Sequence, residues 1–210
     1  MKESISEMLT EKTGVRARLV PILVRFGAVI GFAGLIAIGA LVRIDHARLA
    51  ALFPQAKLFF PASEVPVTLQ TFFVLLAGAL LGPVDGAIAV AVYLGLGVFG
   101  VPLFALSTGA TGFSYFTGIT GGYLIGFFAA AVFVGFAVRK FERISFQAAV
   151  FCAGSILILT FGTVWLKFVS DATFARALAA GFAPFLLLDG VKTAIAFVLY
   201  RLMRIPKGCT

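Results

Sequence analysis

An aspartate and a lysine interrupt one of the most apolar stretches of the sequence. Residues 184–197 read PFLLLDGVKTAIAF, and Asp189 and Lys192 are the charged residues within them. In a helix, residues three apart share a face, so the two side chains point in one direction. A charge at membrane depth costs about 2.5–3.5 kcal/mol and commonly marks function. We therefore expect Asp189 and Lys192 to bind a ligand; a purely structural ion pair is the alternative.

Other polar residues in apolar surroundings are weaker candidates for the same site. Gln70 offers two N–H donors and a carbonyl acceptor, although it can equally serve only to join helices. Thr68 and Thr71 flank it, but threonine also bonds to its own backbone. Tyr123 opens another apolar run, where it can contact a ligand or belong to the aromatic belt at the membrane surface.

Residues and motifs that would indicate catalysis are missing. His46, the single histidine, lies in a polar connection, and no H-E-x-x-H, G-x-S-x-G or carboxylate pair occurs. The DGVKT stretch lacks the leading glycine of a phosphate-binding loop. Cys152 and Cys209 lie far apart and form no metal or redox motif. We expect no enzymatic activity, metal or cofactor, and an intramembrane enzyme or a purely structural subunit is disfavoured.

The composition predicts an all-α membrane protein. The 210 residues are 61% hydrophobic and 12% charged, with a mean hydropathy of +1.09, whereas a soluble domain carries roughly 25% charged residues. A spanning helix needs about 20 apolar residues. Six spans are predicted, near residues 26–42, 66–81, 86–103, 121–138, 144–166 and 182–201. They form a transmembrane domain over 21–203, between a cytoplasmic segment at 1–20 and a cytoplasmic tail at 204–210.

The distribution of lysine and arginine predicts the orientation, because basic residues are enriched on the cytoplasmic side. With six spans and a cytoplasmic N-terminus, eleven basic residues fall inside and five outside. This topology explains the net charge of +8 and argues against nucleic-acid binding. Residues 66–71, the loop 107–120, the start of the fourth span and Asp189 then lie in the outer half of the membrane. A cavity that opens to the outside is the simplest use of this arrangement.

Four sequence blocks carry a family resemblance. VPVTLQTFFVLLAGALLGP (65–83), YLGLGVFGVPLF (93–104), GITGGYLIGF (118–127) and LDGVKTAIAF (188–197) together resemble the BioY family. These proteins are the substrate-binding S components of energy-coupling factor (ECF) transporters for biotin. The resemblance implies a compact bundle of six helices in the bacterial cytoplasmic membrane. It also implies a transmembrane T component and a pair of ATPases as partners, which fits the missing nucleotide motif.

The resemblance also implies roles for individual residues. Asp189 and Lys192 match the family's ligand-binding pair, so Asp189 accepts from the ureido N–H groups of biotin and Lys192 donates to its carbonyl. The remaining contacts are expected from polar residues and from apolar wall residues, namely Gln70, Thr68, Tyr123, Phe104 and Phe185. A proton-coupled secondary transporter of a small vitamin-like solute, with Asp189 as the proton carrier, is the alternative function.

Small residues in the first span predict a surface for a partner. Gly27 with Gly31 and Ala33 with Ala37 have the spacing of a small-xxx-small helix contact. We expect the partner subunits to dock on this helix.

Overall fold

The structure, a computed structural model, describes residues 2–44, 67–103 and 112–204, with side chains from residue 20 onward. Over these ranges the chain forms eight helices and two short strands: α1 (Lys2–Leu41), β1 (Arg43–Ile44), β2 (Val67–Thr68), α2 (Gln70–Leu81), α3 (Pro83–Val98), α4 (Phe113–Thr117), α5 (Gly121–Lys140), α6 (Ile144–Val169), α7 (Phe174–Gly181) and α8 (Ala183–Met203). Some residues singled out in the sequence lie outside the described ranges: His46, Pro66, Phe104 and Cys209.

The described helices confirm the prediction of a largely helical membrane protein. Among the described residues, four segments are long and apolar enough to cross a membrane: Val20–Leu41, Gly121–Lys140, Ile144–Val169 and Phe174–Met203. The last of these joins α7 to α8. Helices α5, α6 and α8 correspond to the predicted fourth, fifth and sixth spans. The first helix reaches back to Lys2, so the segment predicted as a separate N-terminal region is helical and continuous with the first span.

The second and third helices differ from the predicted spans. Helix α2 begins at Gln70 rather than near residue 66, because Val67 and Thr68 are extended and pair with β1. Helix α3 begins at Pro83, before Asp85, and ends at Val98 rather than near residue 103. With 12 and 16 residues, α2 and α3 are about 18 and 24 Å long, less than the ~30 Å hydrocarbon layer.

Backbone breaks explain these bounds. Gly82 separates α2 from α3 with a φ of 95°, a conformation that glycine adopts without strain, and Pro83 then starts α3. Gly100, with a φ of 91°, follows the end of α3.

The charge of Asp85 is neutralised by Arg25, whose guanidinium bonds both carboxylate oxygens at 3.0 and 2.9 Å. A charged residue is therefore accommodated inside the first turn of α3.

Helix α5 lies in the middle of the bundle and packs on α2, α3 and α6. Its buried face includes Leu124, Phe127 and Val134. Lipid tails are as apolar as these side chains, so close packing rather than removal from water holds the helices together. Gly78 on α2 lets the backbones meet, since a Cβ there would lie 3.0 Å from the Cα of Ala131 on α5.

One end of the bundle, which we call the basic end, carries most of the described positive charge. It comprises the start of α3, the C-terminal ends of α2, α5 and α8, the N-terminal end of α6 and Arg25 of α1, with the following basic residues: Arg25, Arg139, Lys140, Arg143, Arg201 and Arg204. Gln147 ties three helices together there. Its amide donates to the carbonyls of Val138 and Phe141, at 3.3 and 2.9 Å, and accepts from Arg201 at 3.1 Å.

The opposite end, the pocket end, is shaped by the two short strands. Strands β1 and β2 pair antiparallel, with Arg43 opposite Thr68 and Ile44 opposite Val67. The pairing holds the chain that enters α2 against the end of α1, and the amide of Leu69 also donates to the carbonyl of Gly39 at 3.0 Å. These bonds fix the positions of Thr68 and Gln70 at the N-terminal end of α2.

Candidate ligand-binding site

A cavity opens at the pocket end among β2, α2, α4, α5, α6 and α8. Its lining comprises Thr68, Gln70, Thr71, Tyr115, Thr120, Tyr123, Leu124, Phe127, Ile158, Leu159, Phe185, Asp189 and Lys192. Six of the seven predicted ligand contacts are in this set, and the seventh, Phe104, lies outside the described residues.

Asp189 and Lys192 form a buried ion pair on the cavity wall. Their exposed fractions are 2% and 6%, so neither charge is screened by bulk water. Lys192 Nζ also donates to the backbone carbonyl of Thr68 at 2.8 Å. This bond links α8 to the strand that precedes α2, and it draws the lysine toward the polar side of the cavity. The ion pair on α8 is therefore also anchored to β2.

Gln70 belongs to a hydrogen-bond network beside the ion pair. The Thr68 hydroxyl donates to Gln70 Oε1 at 2.9 Å, and Gln70 Nε2 donates to the Tyr93 hydroxyl at 2.6 Å. Both ends of the Gln70 amide therefore have a hydrogen-bond partner, one on β2 and one on α3. Tyr93 on α3 is fully buried and does not line the cavity itself. It supports a residue that does.

Tyr123 lines the cavity and also holds two helices together. The side chain is 7% exposed, so it is not a residue of the membrane-surface belt. Its hydroxyl donates to the carbonyl of Gly181 at 2.6 Å, which ties α5 to the end of α7. The ring packs against Phe185, with centroids 5.9 Å apart. Tyr123 and Phe185 together form an aromatic edge of the cavity.

The opposite wall is apolar and was not predicted from the sequence. Leu124 and Phe127 of α5 and Ile158 and Leu159 of α6 line it. In an apolar sequence, a side chain that faces a cavity has the same character as one that faces the core, so no local signal separates the two. The cavity thus has a polar wall made by α2 and α8 and an apolar wall made by α5 and α6.

The segment between α3 and α5 contributes two residues to the cavity lining. Tyr115 and Thr120, which fall within the predicted outside loop 107–120, line the cavity. The indole N–H of Trp165 on α6 donates to the carbonyl of Gly118 at 2.9 Å and holds the end of this loop against the bundle.

The small residues of α1, predicted as one partner surface, are divided by the structure. Ala33 and Ala37 are 4% and 8% exposed and belong to the core, so they pack inside the bundle and are not available to a partner. Gly27 and Gly31 are exposed, and a Cβ added at either would meet nothing within 4 Å. The free part of the predicted surface is therefore narrower than expected.

Comparison with known proteins identifies the family. The family model described as the BioY family matches residues 18–207. The chain belongs to the BioY family. It is 37% identical over 151 residues to the "Biotin transporter BioY" of Thermotoga maritima, an alignment that covers 71% of this chain and 87% of that one. It is 36% identical over 164 residues to the "Probable biotin transporter BioY" of Pyrococcus horikoshii, covering 75% and 95%.

Two further comparisons extend across most of this BioY-family chain. The "Biotin transporter BioY2" of Lactococcus lactis subsp. cremoris is 32% identical over 159 residues, covering 75% of this chain and 85% of that one. A crystal structure of the S-component for biotin from an ECF-type ABC transporter superposes with a TM-score of 0.71 at 24% identity, covering 88% of this chain and 92% of that one. The two proteins share a fold.

Proposed function

We propose that this BioY-family protein captures biotin at the outer face of the bacterial cytoplasmic membrane, as the substrate-binding S component of an ECF-type transporter. The observation that carries the proposal is the buried ion pair of Asp189 and Lys192 on the wall of a cavity that Gln70 and Phe185 also line. Curated relatives that match most of the chain are named biotin transporters. The protein binds and transports; it is not an enzyme.

The polar wall suits the ureido ring of biotin, which offers two N–H donors and a carbonyl. An ionised Asp189 accepts from the N–H groups, and such charge-assisted bonds are stronger than neutral ones. Lys192 has three N–H donors. Asp189 and the Thr68 carbonyl occupy two of them, so the third remains for the ureido carbonyl.

The remaining walls suit the rest of the molecule. Gln70 keeps one N–H and one acceptor position after its bonds to Thr68 and Tyr93, and these complete the polar contacts. The sulfur-containing ring packs against the apolar wall and against Phe185. Tyr123 contributes its ring, because its hydroxyl is bonded to Gly181.

The charge distribution supports an orientation with the basic end in the cytoplasm. Within the described side chains, the basic end carries six lysines and arginines against Asp85 and Glu142, and the positive-inside rule places such an end on the cytoplasmic side. The cavity then faces outward, where biotin arrives. Both chain termini belong to the cytoplasmic side in this orientation.

The energy for uptake comes from partner subunits, a transmembrane T component and a pair of ATPases. The sequence has no nucleotide-binding motif of its own. Helix α1 offers them the exposed glycines Gly27 and Gly31, which permit close helix approach. Its neighbouring exposed apolar residues include Ile30 and Ile38.

Biotin uptake by intact cells tests the proposal. A biotin-requiring strain without its own transporter is given this chain together with T and ATPase subunits, and uptake of labelled biotin is measured. We expect saturable uptake that excess thiamine or riboflavin leaves unchanged. Uptake that does not saturate, or that either vitamin suppresses as well as unlabelled biotin does, would contradict the assignment.

The same assay separates the proton-coupled alternative. Collapse of the proton gradient with ATP kept high leaves uptake in place if ATPases supply the energy. Uptake that stops under this condition identifies Asp189 as a candidate proton carrier instead.

A further inference from the structure

A second cavity lies at the basic end, away from the candidate biotin site. It opens between the ends of α2, α5 and α8, and it is lined by Ala79, Leu80, Arg139, Tyr200, Met203 and Arg204. We call it the arginine cleft. It combines two guanidinium groups with an apolar floor.

Each guanidinium group of the arginine cleft is held by one hydrogen bond and has further N–H donors. Arg139 donates to the carbonyl of Leu80 over a long 3.4 Å, and Arg204 donates to the Tyr200 hydroxyl at 3.1 Å. Each guanidinium has five N–H donors. Within the described part of the chain, neither arginine is within ion-pairing distance of a carboxylate, and nearby Asp85 is bound by Arg25 through both oxygens. The cleft therefore has positive charge and free donors for an anion.

The surroundings favour a lipid as the source of that anion. Arg139 is in the last turn of α5 and Arg204 directly follows α8, so both lie where a membrane helix meets the headgroup layer. Met203 is 55% exposed, and Leu199, four residues earlier on the same side of α8, is 36% exposed and continues this apolar surface. A phospholipid places its phosphate at the guanidinium groups and an acyl chain on this surface.

The geometry points to the arginine cleft as a binding site for the phosphate headgroup of an anionic phospholipid in the leaflet at the basic end. Guanidinium forks match phosphate oxygens in a bidentate manner, and basic pockets between membrane helices bind such headgroups. Because Arg139 and Arg204 belong to α5 and α8, the bound lipid bridges two helices that also build the biotin cavity. An anionic lipid is thus expected to stabilise the bundle.

Lipid titration of the full chain in detergent tests the site. The probes are dioctanoyl phosphatidylglycerol, dioctanoyl phosphatidylcholine and inorganic phosphate, with binding followed by thermal stabilisation. We expect saturable binding of phosphatidylglycerol, and at least tenfold weaker binding of the other two. Arg139→Gln/Arg204→Gln is expected to weaken phosphatidylglycerol binding about 30-fold, which corresponds to about 2 kcal/mol for two basic contacts.

The matched control is Lys140→Gln/Arg143→Gln, which removes the same charge at the same end from exposed residues outside the cleft lining. It is expected to change the affinity less than threefold, roughly 0.6 kcal/mol. Met203→Trp keeps both arginines but fills the mouth of the cleft, so it should also weaken phosphatidylglycerol binding. It replaces the glutamine variant as the test if that variant does not fold.

Three outcomes would overturn the site. An equal loss in the control means that diffuse surface charge attracts the lipid. Equal binding of phosphatidylcholine or of inorganic phosphate removes the anionic lipid as the specific occupant. Unchanged lipid binding in the arginine variant, together with loss of assembly with the partner subunits, assigns the cleft to an acidic protein segment.

Discussion

Removing the charges of Asp189 and Lys192 singly and together separates a ligand-binding pair from a structural one. Lys192→Met keeps length and apolar bulk but leaves Asp189 as an unpaired charge with 2% exposure, and it removes the donor to the Thr68 carbonyl. Asp189→Asn keeps shape but leaves Lys192 without its counter-charge. Breaking a buried pair from one side costs about 3–5 kcal/mol of stability, so both single variants should melt at lower temperature.

The effect on binding follows a different pattern. Truncating one partner of a buried charge pair that contacts a ligand costs about 2–5 kcal/mol, so each single variant should weaken biotin binding roughly 30-fold or more. The double variant Asp189→Asn/Lys192→Met leaves no unpaired charge. Its stability should recover, because a buried ion pair can be replaced by neutral groups at little cost. Its biotin binding should stay weak, since the charged contacts to the ureido ring are gone.

Biotin titration by calorimetry and thermal melts of the purified variants give the two quantities. The control is Arg25→Gln, which breaks an ion pair at the other end of the bundle whose arginine side chain is 69% exposed. An exposed pair contributes about 0–1 kcal/mol, and biotin affinity should not change. A well-folded double variant that binds biotin like the parent would refute the ligand-binding role of the pair.

Three further predictions concern the support of Gln70 by Tyr93, the docking of partner subunits and the orientation of the protein in the membrane. Tyr93→Phe removes the hydroxyl that accepts from the Gln70 amide. It should weaken biotin binding about tenfold, since a buried hydrogen bond contributes about 1–2 kcal/mol. Unchanged biotin affinity in a titration would contradict a role of Tyr93 in positioning Gln70. Gly31→Leu should fold and bind biotin normally, because a Cβ at this exposed position meets nothing within 4 Å, yet it should impair uptake with partner subunits. Gly95→Leu on α3, where a Cβ also meets nothing within 4 Å, is its control, and equal uptake in both would contradict docking on α1. With both native cysteines replaced by serine, Thr117→Cys should react with an impermeant thiol reagent on intact cells and Lys140→Cys should not; the reverse pattern would invert the orientation.

Much of the helical framework could be predicted because apolar length and flanking charge mark a membrane helix directly. Helices α5 and α6 begin at the predicted residues and run two or three residues past the predicted ends. The bounds of α2 and α3 could not be predicted, because they depend on contacts distant in sequence. The strand pair joins residues 43–44 to 67–68, and Arg25 neutralises Asp85 from another helix.

The short helix α7 was missed although it has a local signal. Thr173 precedes FARALAAG, and its hydroxyl accepts from the backbone N–H of Arg176 at 3.4 Å as a helix cap. Its eight residues are too few for a span, so apolar length does not reveal it.

The polar half of the candidate site was predictable and the apolar half was not. Asp189, Lys192 and Gln70 stand out because a polar side chain in an apolar helix needs a partner. Ile158 and Leu159 do not stand out, because a long apolar helix has many such residues. Tyr93 acts through Gln70, a relation that only three-dimensional proximity reveals.

Equilibrium binding of biotin to the purified chain, without any partner subunit, is the most direct test of the proposed function. The protein is titrated in detergent with biotin, thiamine and riboflavin in parallel, by calorimetry. We expect saturable binding of one biotin per chain, with no ATP hydrolysis and no displacement by a large excess of the other two vitamins. Absence of biotin binding in a folded sample, or equal binding of thiamine or riboflavin, would contradict the assignment of the Asp189–Lys192 cavity to biotin.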